Sequence, residues 1–527
     1  MNERLKKNLV LQGSILAIAG LISKVIGFIY RIPMANILGN TGNGLYSVAF
    51  GLYNIALTLS SYSMPLAISK LMSARLAKGD RKNAHRLFHD ALIFAICTGL
   101  TASIALYSGA EFFAKVYHKQ GLEMPLRVLA PTVFVVAMLG CCRGFFQGHR
   151  NMVPTAVSQV IEQIVNAVVS VAAAAYFTRM AVGENAAAYG AMGGTFGTFF
   201  GALSALVLFI ILFIARQLVI RKKDLGDMPA EDHRLLVKAV FLTVLPVIIS
   251  QSIYQLGYTL DDLIFGNMMA LKGVDQTAGT NLQGIFNTQY NQMINLPTAI
   301  ATAMASATLP SIVASYTRGE KDKVKGKIDT VIKVNMLIAI PSAIGLAVLA
   351  EPVMGVLFPR LGDLMEVAVT LLQTGSTAVI FYALSTLSTS ILQGCDKMKL
   401  PVIHSGISLA IHVVIVAGCL YFTDLGVYAL VIGNVSFPLL VCVLNCRSIA
   451  KLEGYSFKLK ESIIRPFAAA GVMGIAAFVV YTALKGLTGM LIAMVVSMIT
   501  AVAVYVVMLI VFKAVTVDEL KRIIKRR

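Results

Sequence analysis

The 527-residue sequence contains no tryptophan, and only 13% of its residues are charged. Soluble domains carry about a quarter of their residues as Asp, Glu, Lys and Arg, so water cannot clothe most of this surface. With 57% hydrophobic residues and a mean hydropathy of +0.77, the main solvent is lipid. Without Trp, tyrosine must supply any aromatic belt at the membrane interfaces. The seven cysteines show neither metal nor secreted-disulfide spacing, which leaves free buried thiols as the expected state. No phosphate loop, nucleophile elbow, metalloprotease motif or paired-acid glycosidase signature occurs, so no catalysis, cofactor or metal is expected. A cleavable signal is lacking too: the first apolar run is too long and has no small-residue cleavage site.

What the chain has instead is a regular series of apolar runs. Fourteen are long enough to span, about 12–38, 43–70, 87–110, 128–148, 152–177, 187–216, 238–268, 284–314, 331–358, 364–393, 400–422, 426–446, 464–484 and 488–513. A crossing needs about 20 apolar residues, so tilt or kinking is expected of the longer ones. Blocks of alternating polarity, the mark of a membrane barrel, are not seen. The fold class is an all-α polytopic membrane protein with fourteen transmembrane helices.

Charge supplies the orientation. With the N-terminus taken as cytoplasmic, 35 Lys and Arg fall in the inside connections and 7 in the outside ones. Such a bias predicts a cell-membrane protein with both termini cytoplasmic. It also accounts for the formal charge of +19 as topology and contact with anionic membrane lipids, rather than a nucleic-acid footprint.

A faint repeat runs through the chain. Gly27-Phe28-Ile29-Tyr30-Arg31 aligns with Gly257-Tyr258-Thr259-Leu260-Asp261, and Pro65-Leu66-Ala67-Ile68 with Pro297-Thr298-Ala299-Ile300. Gln147-Gly148 with Met152 and Pro154 aligns with Gln393-Gly394, Met398 and Pro401. Six spans separate the equivalents, so the two units share one orientation and should be related by an axis along the membrane normal. The expected organisation is an N-lobe (1–218, helices 1–6), a cytoplasmic linker (219–237), a C-lobe (238–450, helices 7–12), and helices 13–14 with a basic tail (451–527). Duplicated lobes suit an alternating-access transporter better than an enzyme.

Away from the ends of the apolar runs, only three of the 45 Lys and Arg occur: Lys24, Arg31 and Arg143. A cation at the bilayer centre costs roughly 3 kcal/mol on insertion scales, so one kept there usually faces a cavity. Lys24 and Arg31 are seven apart, hence on one helix face about 10 Å apart in height. An ammonium and a guanidinium on one stripe suit a phosphate or pyrophosphate; snorkelling is the alternative, more natural for Arg31 than for Lys24. Arg143 lies near a cytoplasmic end, where it can reach the headgroups. Glu162 has a depth like that of Lys24, open to pairing with it or to proton or cation handling. Asp261 and Asp262 are the adjacent acids inside a span, and carboxylates there need a proton, a partner cation such as Arg31, or a bound ion. Na⁺, H⁺ or the membrane potential is the expected coupling agent. Asn287, Gln289, Asn291 and Gln292 make span eight polar enough to line a wet cavity. Gly193, Gly197 and Gly201 form a small-residue stripe for close helix packing. His85 and His89 lack a third metal ligand nearby and read as a solvated helix start.

The run Ser23-Lys24-Val25-Ile26-Gly27-Phe28, continuing through Arg31 to Ile37-Leu38-Gly39, resembles the first helix of MurJ-type lipid II flippases, in particular their Gram-positive branch with the stage V sporulation protein B group. Asn295-Leu296-Pro297 with Ala307-Thr308-Leu309-Pro310-Ser311 is similar to the family's span-eight signature. The resemblance implies the fold of the multidrug/oligosaccharidyl-lipid/polysaccharide exporter superfamily and a polyprenyl-pyrophosphate-linked glycan as substrate, with lipid II the first candidate. Peptidoglycan synthesis, cell shape and contact with the cell-wall synthesis machinery would follow. It places the family's basic cavity residue on Lys24 and a groove for the lipid tail at spans thirteen and fourteen. The other first-helix arginine of the Gram-negative type falls on Tyr30, with Arg31 one position away, and the span-eight arginine falls near Gln292. Substrate contacts are therefore expected from Lys24, Arg31, Arg143, Asn291 and Gln292, and ion coupling from Asp261, Asp262 and Glu162. Another lipid-linked glycan of polysaccharide or teichoic type, or a drug exported against a cation, is the alternative within transport. A membrane glycosyltransferase or ligase would need acids on a large outer loop, and the longest outer loop carries only Glu111 and Glu123.

The topology is testable by labelling. Cysteines engineered at 78–84 and 320–326 should resist a membrane-impermeant thiol reagent in intact cells, while those at 40–43 and 274–278 react; the reverse pattern would invert the orientation.

Overall fold

A computed structural model describes residues 3–181, 183–217 and 229–515. Among them there are helices and turns but no strand. The expected linker at 219–237 falls largely outside the described residues, as does the basic tail beyond 515.

The chain divides into two compact units, Met1–Gly284 and Ile285–Arg527. The first holds α1 (Glu3–Ser60), α2 (Met64–Ala77), α3 (Arg81–Ser108), α4 (Ala110–Val116), α5 (Glu123–Gly148), α6 (Val153–Met180), α7 (Ala186–Gln217), α8 (His233–Leu271) and α9 (Gln276–Gly284). The second holds α10 (Asn291–Thr317), α11 (Lys321–Val348), α12 (Ala350–Leu357), α13 (Met365–Gly375), α14 (Ala378–Gly394), α15 (Lys399–Phe422), α16 (Tyr428–Glu453), α17 (Arg465–Thr488) and α18 (Met490–Val511). A π-helical segment, Ile285–Tyr290, leads into α10.

Ten described helices are long and apolar enough to cross a membrane, or eleven if the bent pair Pro359–Gly375 and Ala378–Gly394 counts as one span. The chain is thus a multi-pass membrane protein. The first candidate, Ile15–Ala77, is 63 residues long, about 95 Å if straight, and so exceeds one crossing. It breaks at Gly39, whose φ of 66° only glycine adopts readily; the expected spans 12–38 and 43–70 lie on either side. The helices α8 and α10, which contain the expected seventh and eighth spans, include side chains outside the described set and are not among the ten.

The first unit closes around two apolar clusters. One joins Met64, Ile68 and Met72 of α2 to Leu87 and Phe88 of α3, Phe145 and Phe146 of α5, and Phe209 of α7. The other joins Met34, Leu38, Tyr46 and Tyr53 of α1 to Leu122, Leu126, Leu129 and Val133 around α5. The start of α8 belongs here by specific polar bonds. Arg75 Nε donates to Glu231 Oε1 at 3.0 Å, Asn83 Nδ2 to the Pro229 carbonyl at 2.8 Å, and His233 Nδ1 lies 2.7 Å from Asp90 Oδ1. The sequence repeat starts its second copy at 238, yet α8 and α9 pack with the first unit.

In the second unit α17 and α18 lie against α11: Tyr505 Oη donates to the Leu337 carbonyl at 3.0 Å, and a Cβ on Gly474 would stand 2.8 Å from Ile344. Their outer faces carry exposed Ile475, Leu487, Ile499 and Val502, an apolar surface for lipid. A buried polar network links α14, α15 and α16, in which His404 Nδ1 is 2.7 Å from Asn445 Oδ1 and Asn445 Nδ2 donates to Ser388 and Thr389.

Close approach of α6 and α7 depends on the small-residue stripe. A Cβ on Gly193 would meet the Ala173 carbonyl at 2.5 Å, one on Gly197 the Ser170 Oγ at 2.1 Å, and one on Gly201 the Glu162 carbonyl at 2.7 Å. Gly197→Val should therefore destabilise the folded chain by about 1–3 kcal/mol or more, read as a lower melting temperature in detergent. Gly345→Ala, where nothing lies within 4 Å of the new methyl, should leave it unchanged.

Candidate functional site

The three intramembrane cations sit in the first unit, on α1 and α5. Lys24 and Arg31 are both exposed, as the seven-residue spacing requires of a shared face. Between them Gly27 faces α6, where a Cβ would sit in ordinary contact, 3.7 Å from Gln163 Oε1. The neighbouring Tyr30 is buried and its hydroxyl accepts a bond from Asn166 Nδ2 at 3.3 Å. Ser170 in turn donates toward Asn166 Oδ1 at 2.9 Å and the Gly194 carbonyl at 2.8 Å. The α1 stripe is thus braced by a polar rail through α6 to α7. The Arg31 guanidinium lies within electrostatic reach of Tyr30 and Tyr46. Among the described residues Lys24 has no ion pair. Ser23 Oγ of α1 and Gln159 Oε1 of α6 are buried without a hydrogen-bond partner among the described atoms.

Arg143 is held differently. Its Nη2 lies 2.6 Å from Glu162 Oε2, and its Nε donates to Ser158 Oγ at 3.2 Å, with side chains only 15% and 23% exposed. Glu162 therefore pairs with Arg143 rather than with Lys24, the partner its depth suggested. The pair cancels locally, so the net positive charge of the site comes from Lys24 and Arg31. Tyr53 of α1 stands within electrostatic reach of Glu162.

The other sequence candidates lie elsewhere. Asp261 and Asp262 on α8 are 9% and 6% exposed. Asp262 accepts a bond from Gln283 Nε2 of α9 and feels the charge of Lys119, which sequence reasoning had placed only as an outer-loop cation. Its burial could not be read from a loop of mixed polarity. Asn291 and Gln292 belong to the second unit, where Asn291 Oδ1 accepts from Asn434 Nδ2 of α16 at 3.1 Å and Gln292 is buried. The buried His404–Asn445 pair was likewise missed, since a lone His in an apolar run gives no sign of its partner. His85 stacks near Phe145 and His149, and no metal-binding group of three or more His, Cys, Asp or Glu occurs among the described residues.

Glu162→Gln should leave the Arg143 charge half-buried and uncompensated, lowering stability by about 1–3 kcal/mol. The double change Arg143→Met with Glu162→Met should recover most of that loss in a double-mutant cycle of melting temperatures. Additive losses would mean the two side chains do not act as a pair.

Comparison with known proteins fits this architecture. The lipid II flippase MurJ of Bacillus subtilis (strain 168) is 26% identical over 480 residues, 88% of this chain and 87% of that protein. Stage V sporulation protein B of the same organism is 24% identical and covers 98% of both chains. Among solved structures, a lipid II flippase MurJ in an inward closed conformation superposes with a TM-score of 0.68 over 94% of this chain and 98% of that one, at 12% identity. An inward-facing multidrug resistance MATE transporter gives 0.67 over 82% and 96%, at 16% identity. The MatE family profile matches residues 246–417. The profile of the polysaccharide biosynthesis protein family matches residues 9–316, more than half of the chain, and the chain belongs to that family.

Proposed function

We propose that the chain exports a polyprenyl-pyrophosphate-linked glycan, with lipid II as the leading substrate, across the cell membrane by alternating access. The observation that carries this reading is the α1 stripe: Lys24 and Arg31, one face, inside an apolar span, neither with an ion pair among the described residues. Two cations on one face within an apolar span are stabilised when a dianion enters between them. The pyrophosphate would bridge the Lys24 ammonium and the Arg31 guanidinium, the glycan would pass through the polar path, and the polyprenyl tail would stay in the bilayer. The braced rail Tyr30–Asn166–Ser170 fixes the height of the stripe. A drug exporter driven by a cation would favour acids at these positions, and Glu162 of α6 is occupied by Arg143. Lipid II as cargo is favoured by the relatives that carry that name over most of their length. We assign energy coupling to Asp261 and Asp262, through Na⁺, H⁺ or the membrane potential.

The test is complementation of a bacterium depleted of its own flippase, with lipid II accessible on the outer face measured. Parent chain should restore it. Lys24→Ala and Arg31→Ala should each reduce it at least tenfold at equal folded protein, and Lys24→Arg should retain much of it. Parent-level export by both alanine variants would remove the pyrophosphate site.

A further inference from the structure

The turn between α4 and α5 lies outside the spanning helices, at the end of the first unit that the charge bias assigns to the outside. It carries Lys119, which is only 3% exposed. Four successive residues of this segment bond to α8 and α9. The Val116 carbonyl accepts from Asn267 Nδ2 at 3.1 Å, Tyr117 Oη donates to the Thr259 carbonyl at 3.5 Å, the His118 carbonyl accepts from Gln276 Nε2 at 2.6 Å, and Lys119 Nζ donates to Thr280 Oγ1 at 3.1 Å. His118 holds a φ of 50°, a left-handed conformation unfavourable for a residue with a Cβ. Local preference would not choose it; the bonds on either side hold it there.

On its other face α9 is pressed against α1. A Cβ on Gly44 would fall 2.2 Å from the Thr280 carbonyl, one on Gly284 would fall 2.4 Å from the Asn40 carbonyl, and Thr41 Oγ1 donates to Asn281 Oδ1 at 2.6 Å. Thus α9 is gripped between α1 and the turn. Beneath the grip is a cavity of 110 Å³ lined by Tyr117, Lys119, Gly266, Asp275, Gln276 and Thr280, among others.

We propose that residues 116–119 are a latch that holds the α8–α9 corner against the N-terminal helices, and that opening this end of the carrier draws Lys119 out into water. This rests on the carrier reading in one respect only, that the end opens during a cycle. The latched arrangement is costly for a charged lysine: burial pushes the Lys119 ammonium down to about 8, partly opposed by the charge of Asp262. The ionisable groups around it are Asp262 of α8, Asp275 ahead of α9, and Tyr117 and His118 of its own turn; α1 offers the Thr41 hydroxyl and the Gly44 backbone. Burial raises the Tyr117 phenol further, so that group stays neutral throughout.

Released into water, Lys119 would titrate near its ordinary value of about 10.4. Below pH 8 it is protonated in both forms, and the latch carries the full desolvation penalty. Between about pH 8 and 10.4 the latched form binds fewer protons than the open one, so raising the pH favours latching. From pH 7 to pH 9 the ratio of latched to open should rise about tenfold.

The experiment is electron–electron distance measurement on the full chain in lipid nanodiscs, its seven cysteines replaced, with spin labels at Lys115→Cys and Leu271→Cys, both exposed positions. No substrate is added, so failure here leaves the export reading intact. The short-distance population should gain about tenfold on the long one between pH 7 and pH 9. Lys119→Arg, charged across this range, and Lys119→Met, never charged, should both be flat. Thr280→Val, which removes the bond and keeps the lysine, should shift the ratio toward the long distance with the pH slope intact. A pH-independent ratio in the parent, or an unchanged slope in Lys119→Met, would overturn the latch.

Discussion

The cost of placing charge in hydrocarbon governs this protein. Helices satisfy their own backbone, which is why spanning segments dominate the chain, but a side-chain ion has no such recourse. The structure answers that cost in different ways. Arg143 is neutralised by Glu162 at 2.6 Å. Asp262 is taken up by Gln283 and the nearby Lys119. Among the described residues Lys24 and Arg31 have no acid partner: Arg31 lies near Tyr30 and Tyr46, and Lys24 is exposed on its helix. The uncompensated pair is where an anion gains most, and it is the point from which the proposed cargo follows.

Packing puts that stripe in place. The small residues of α7 allow α6 to come within backbone contact, and α6 in turn supplies Asn166 to Tyr30 and Glu162 to Arg143. A substitution on the α7 stripe therefore reaches the site through two helices without touching a charge. At the other end of the unit, the same kind of close approach, Gly44 on Thr280 and Gly284 on Asn40, sets α9 against α1. Small-residue contacts hold the bundle, and hydrogen bonds from residues 116–119 tie α8 and α9 to it.

Much of this was legible in the sequence because lipid leaves few choices. Apolar run lengths gave an all-helical multi-pass chain, and the isolated basic residues on α1 stood out against a background without charge. The seven-residue spacing of Lys24 and Arg31 fixed their shared face before any coordinates. Partners were much harder. Glu162 could be matched by depth to Lys24, yet its carboxylate meets Arg143 of α5 although α1 also packs on α6. Lys119 read as one more outer-loop charge, since burial of a turn depends on α8 and α9 folding over it, more than a hundred residues later in sequence. The repeat placed the start of a second copy at 238, and α8, which begins at His233, packs with the first unit.

The most direct test of the central claim is binding rather than flux. Purified chain in detergent should bind a polyprenyl-pyrophosphate glycan far more tightly than the same glycan on an uncharged polyprenyl carrier. The difference should be about tenfold or more at low salt, and should shrink as ionic strength rises. Equal affinity for the charged and uncharged lipids, unmoved by salt, would contradict an anion site on α1 and with it this account of why the chain keeps Lys24 and Arg31 inside the membrane.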